Sequence, residues 1–139
     1  MGGSGVEAGF ADGAEGPGSA AVDAGRVWCM SAGESHCALA DRLRESVLGS
    51  GTGPQRMREG ALAAGAGEAC DLPPEEEALA RLVGEASYRV TDEQVAAVRA
   101  LRGSEVAAFE LIMSASIGAG LRRWDAAARV IEEASDASS

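Results

Sequence analysis

From Leu111 to Leu121 the chain carries no charged residue, and bulky apolar residues recur there at helical spacing among small ones. Val106, Phe109, Ile112, Met113, Ile117, Leu121 and Trp124 trace one stripe, while Ala107, Ala108, Ser114, Ala115, Gly118 and Ala119 keep the other sides small. A helix apolar nearly all round is buried nearly all round, so this pattern predicts a central helix around which the rest of the chain gathers. Ser104 is placed to cap its start. The uncharged run is 11 residues, about half of the roughly 20 that cross a bilayer, so it is not a membrane span. Its small residues admit close backbone approach, within a subunit or between subunits.

The remaining segments also read as helices. Leu39, Leu43 and Val47 fall at i, i+4 and i+8 in a stretch from Ala38 to Leu48, the spacing of one helix face. The glycine-rich run Gly49 to Pro54 breaks it. It lacks the Gly-Lys-Ser/Thr ending of a phosphate-binding loop. A short helix is expected over Gln55 to Ala64, with Met57, Ala61 and Leu62 inside. Pro73 and Pro74 suit a first turn, and Glu75, Glu76 and Glu77 complement its dipole as a solvated helix start. That third helix is expected to reach Tyr88, with Glu77, Arg81, Glu85 and Arg89 forming an exposed i, i+4 ladder. Tyr88, the one tyrosine, is expected to pack with its hydroxyl bonded.

Thr91-Asp92-Glu93-Gln94 is a capping box. It starts a fourth helix that buries Val95, Val98 and Leu101 and stops at Gly103. Beyond Gly120 the last helix continues through Trp124, Ala127, Ala128 and Ile131, with Asp125 and Arg129 paired on the wet side. No segment alternates with period two. The fold class is therefore all-α, a compact four- to five-helix bundle.

Nine glycines lie between Gly2 and Gly33, and the one sizeable apolar cluster before the helices is Val27, Trp28 and Met30. Such a segment buries too little surface to offset its ordering entropy, so residues 1–36 are read as a disordered tail, 37–135 as the helical domain and 136–139 as a frayed end. Two alternatives stand beside the tail: Val27, Trp28 and Met30 dock on the domain as a short anchor, or Met30 is the true initiator. No basic residue precedes Arg26 and no apolar core of a signal peptide is present, so a secretory leader is not expected. Twelve arginines and no lysine face 22 acids, a formal net charge of −10. A surface this acidic repels nucleic acid and anionic lipid. Three cysteines do not make a disulfide framework, which fits a cytoplasmic protein.

The runs Ala86 to Ala100 (ASYRVTDEQVAAVRA), Ser104 to Glu110 (SEVAAFE) and Ser114 to Ala127 (SASIGAGLRRWDAA) together resemble the carboxymuconolactone decarboxylase and alkylhydroperoxidase D-like superfamily. The stretch from Leu39 to Leu72, with Asp41-Arg42-Leu43-Arg44-Glu45, resembles the leading region of short bacterial members. The resemblance implies an all-helical alkylhydroperoxidase D-like bundle that assembles as a homo-oligomer. In many members it also implies a thiol peroxidase whose Cys-x-x-Cys pair, His and upstream Glu share a helix. That motif is missing here. Cys29 and Cys37 are eight positions apart, Cys70 stands alone, and the sole histidine, His36, precedes Cys37.

The candidate chemistry is correspondingly thin. His36 beside Cys37 offers an imidazole near a thiol, although neighbours on a helix point about 100° apart. Cys70 precedes a helix start, which favours thiolate. Arg122 and Arg123 offer guanidiniums for a carboxylate or phosphate, or pair structurally with Glu110 or Asp125. Phe109, Met113, Trp124 and Arg123 outline a site for a small apolar or carboxylate ligand. Ser46, Ser87 and Ser114 have no histidine near them in sequence, and no metal or cofactor is implied. Three readings follow: a catalytically silent, self-associating binding or assembly protein; a peroxidase- or decarboxylase-like enzyme using Cys37 or Cys70; and a small-ligand binding subunit.

Overall fold

The computed structural model describes residues 32–138, and every regular element among them is helical. Five α-helices follow in order: α1 (Ala32–Gly49), α2 (Gln55–Gly65), α3 (Pro74–Ala86), α4 (Asp92–Arg102) and α5 (Glu105–Ala137), with a single 3-10 turn at Ser87–Arg89 between α3 and α4. Val27, Trp28 and Met30 lie outside the described residues. The all-α expectation holds, and no described helix is long and apolar enough to cross a membrane.

Local chemistry places the helix ends. The Thr91 hydroxyl accepts from Gln94 N at 3.4 Å and the Gln94 side chain accepts from Thr91 N at 2.9 Å, so the capping box forms as read. Gly103 closes α4 in the left-handed region at φ 65°, where an L side chain is strained. Ser104 Oγ then accepts from Ala107 N at 3.3 Å and starts α5. Helix α1 begins at Ala32, inside the segment expected to be tail. One turn later the His36 ring rests edge-on against Trp124, centroids 5.4 Å apart, which gives that turn a surface to pack on. At the other end, α5 runs on through residues 136 and 137.

The core lies where α2, α3 and α5 meet. Met57, Leu79, Leu111 and Val98 are its largest buried apolar side chains. The backbones come very close. A Cβ on Gly65 would collide with the Ala115 carbonyl of α5, one on Gly84 with the Gly65 carbonyl, and one on Gly118 with the Leu62 carbonyl. Gly65, Gly84 and Gly118, one on each helix and each unfavourable there by propensity, are thus the residues that let three helices touch.

This close contact reverses the expectation for α5. Its buried side is the small one: Ala107, Ala108, Leu111, Ser114, Ala115, Gly118 and Ala119, with Leu121. Of the bulky stripe, Val106, Phe109 and Met113 face out, exposed at 52%, 61% and 42%, while Ile112 packs against the core and Leu121 is buried. Central though it is, α5 is therefore not buried all round, because backbones this near leave no room for large side chains between them. Leu39, Leu43 and Leu101, expected inside, are half-exposed. Tyr88, expected to pack, is exposed on the 3-10 turn. That turn also ends α3 at Ala86, and of the expected ladder Glu77–Arg81 forms, at 2.8 Å.

Candidate functional site

Two constructions occupy opposite requirements of the fold, one polar and internal, the other apolar and open. The polar one centres on Arg58 of α2, which is buried. Its guanidinium donates to the carbonyls of Val47 (2.8 Å), Leu48 (3.0 Å) and Gly53 (2.6 Å). A cation is thereby set against the negative end of α1, where it is favoured. Glu110 of α5 accepts from the backbone N–H groups of Thr52 (2.6 Å) and Gly53 (2.9 Å) and meets Arg58 Nη1 at 3.4 Å. The glycine-rich loop does cradle an anion, and the anion is the protein's own carboxylate. Hydrogen bonds from Thr52 N, then Gly53 N and Arg58, hold the Glu110 carboxyl below the usual carboxylate range.

A second internal pair joins α3 to α4. Glu76 is fully buried and receives Arg102 through both guanidinium nitrogens, Nη2 to Oε2 at 2.7 Å and Nε to Oε1. The expectation that Glu75–Glu77 is solvated throughout fails at Glu76, because the middle residue of the run turns toward α4. The Glu76 bond raises the Arg102 guanidinium above its ordinary value.

The apolar construction lies between α1 and α5. His36, Leu39, Ala40 and Leu43 of α1 face Ile117, Gly120, Leu121 and Trp124 of α5 across a groove of about 330 Å³. On α5 the same face continues from Ile117 through Met113 and Phe109 to Val106. Arg44 anchors the wall, with Nη2 on both Asp125 oxygens (2.7 and 2.9 Å) and Nη1 on Asp41 (2.9 Å). Asp125 is consequently engaged by α1, and the expected Asp125–Arg129 pair gives way to this forked contact from one Arg44 nitrogen.

No family model, curated protein or solved structure matches this chain.

The candidate residues fall into separate places. His36 lines the apolar groove, whereas Cys37 lines a different depression with Asp41, Arg44, Asp125 and Glu132. Cys70 stands in the loop before α3, beside Arg56, Glu59 and Asp71. Burial pushes the Cys70 thiol up, and Glu77 adds to this against Arg81 and a backbone bond from Leu72. That is opposite to the activation expected of a helix start. Among the described residues no three of His, Cys, Asp and Glu come together as a metal site.

Arg123 donates to the Gly84 carbonyl at 3.0 Å, and Arg122 is exposed beside Gly67. Neither pairs with Glu110 or Asp125, since Arg58 and Arg44 already hold those carboxylates. Of the outlined ligand site, Trp124 lines the groove and Phe109 and Met113 stand farther along the same face, while Arg123 turns to α3. Sequence reasoning did not pair Arg58 with Glu110, which it offered to Arg122 or Arg123 instead, and did not pair Glu76 with Arg102. One signal was available for the first pair: a glycine-rich loop with unused N–H donors needs an anion near it.

Proposed function

We propose that this chain is a self-associating binding or assembly protein of the carboxymuconolactone decarboxylase and alkylhydroperoxidase D-like type, without the family's thiol chemistry. The exposed stripe of Val106, Phe109 and Met113 carries the reading. These three apolar side chains share one exposed face of the central helix, and a contiguous apolar face is the kind of surface that marks a protein contact. The small residues behind it are already committed to the subunit's own core. A second copy on this face supplies burial that about 100 ordered residues with few aromatics provide only in part.

Two further observations support the reading. Cys37 and Cys70 line separate depressions, and the Cys70 thiol is raised by its burial. Sedimentation of the full chain tests association directly. The wild type is expected to sediment as an oligomer, and the double variant Phe109→Ser/Met113→Ser as a monomer with an unchanged helical circular dichroism spectrum. A monomeric wild type overturns the proposal. Hydroperoxide turnover with a dithiol reductant, lost when Cys29, Cys37 and Cys70 are all replaced by Ser, overturns its catalytically silent half.

A further inference from the structure

The groove between α1 and α5 differs from the exposed stripe in where it sits relative to the chain. Its first lining residue, His36, is one helical turn after Ala32, where α1 begins. Leu39 and Leu43 follow at about 10 and 16 Å from Ala32, by the 1.5 Å rise of a helix. The chain that precedes Ala32 therefore enters the fold at the groove's own end.

That preceding chain holds one sizeable apolar cluster, Val27, Trp28 and Met30. An extended chain covers about 3.3–3.6 Å per residue, so Met30, Trp28 and Val27 reach at most about 7, 14 and 18 Å back from Ala32. The reach matches the span from His36 to Leu43. Farther upstream the larger apolar residues stand singly, Val6, Phe10 and Val22, among glycine, alanine and isolated acids. Leu39 and Leu43 are 50% and 43% exposed, and Trp124 is half-buried with one edge on His36.

We propose that the segment before Ala32 folds back along α1 and covers this groove, with Val27, Trp28 and Met30 against Leu39, Leu43, Ile117 and Trp124. The occupant is the chain's own, so the closure is independent of protein concentration. It leaves Val106, Phe109 and Met113 free for the second copy.

Two measurements on the full chain test this. In the Trp124→Phe variant, Trp28 is the sole indole. Its emission is expected to be blue-shifted from that of free indole, to be unchanged on dilution through the association range, and to move to the solvent value when Leu43→Glu is added. In the otherwise unaltered chain, tryptic cleavage after Arg26, which abuts Val27, is expected to be about tenfold slower than in Leu43→Glu, because a docked segment must open before it is cut. Leu39→Ser replaces Leu43→Glu if the latter loses its helical spectrum. Solvent-like Trp28 emission, or equal cleavage rates, overturns the proposal. So does a blue shift that survives the groove substitution, which places Trp28 elsewhere. A blue shift lost on dilution also overturns it, assigning the cover to a second copy while leaving the association reading intact.

Discussion

Arg102 and Glu76 show how much rests on single side chains in a core this small. A buried carboxylate stripped of its guanidinium is an uncompensated charge, and such losses cost about 3–5 kcal/mol. Arg102→Ala is expected to lose stability of this order in urea unfolding. The double variant Glu76→Leu/Arg102→Met is expected to recover most of it, since paired apolar replacement of a buried ion pair is often neutral. Glu110 adds a dependence on pH. Its carboxyl is held low in the folded chain, so its contribution is complete above the unfolded carboxylate value of about 4.3. The contribution disappears as the pH falls through the lower folded value. Unfolding midpoints measured between neutral and acid pH should therefore fall more steeply for the wild type than for Glu110→Gln.

Glycine spacing governs the next scale, that of whole helices. On α5, Gly118 lies against the Leu62 carbonyl of α2, whereas Gly120 has open space where a Cβ would stand. Helix propensity alone predicts that Ala at either position helps by about 1 kcal/mol. Contact predicts opposite signs: Gly118→Ala should lower the thermal midpoint, with a stability loss of about 1–3 kcal/mol from the overfilled core, and Gly120→Ala should raise it or leave it unchanged.

The same contrast explains what could be read from the amino-acid order. Helix existence was legible at every element, since the capping box at Thr91–Gln94, the stop at Gly103 and the Ser104 cap depend on neighbours in sequence. Which face of α5 is inside was not. The hydrophobic pattern was equally apolar on both sides, and the choice was made by Gly65 on α2 and Gly118 on α5, which set how near the two helices come. The partners of Glu110 and Glu76 were hidden likewise, 52 and 26 residues away along the chain.

At the scale of the whole molecule, the subunit is a tight three-helix contact with much of its bulky apolar surface left outside. A chain that folds in this way and associates through that surface gains stability by mass action. Its thermal midpoint is accordingly expected to rise with protein concentration, and to lose that dependence in Phe109→Ser/Met113→Ser. Differential scanning calorimetry over a hundredfold range of concentration reads both. An unchanging wild-type midpoint would detach the exposed stripe from assembly.

Because Val106, Phe109 and Met113 stand on one side of α5 and most of its small residues on the other, two kinds of sequence drift are decoupled. Substitutions along the outer row leave the packing of the three helices undisturbed, while the inner row, with Gly118 against the Leu62 carbonyl, leaves no room for enlargement. One rod thus carries an open margin and a closed one, about half a turn apart.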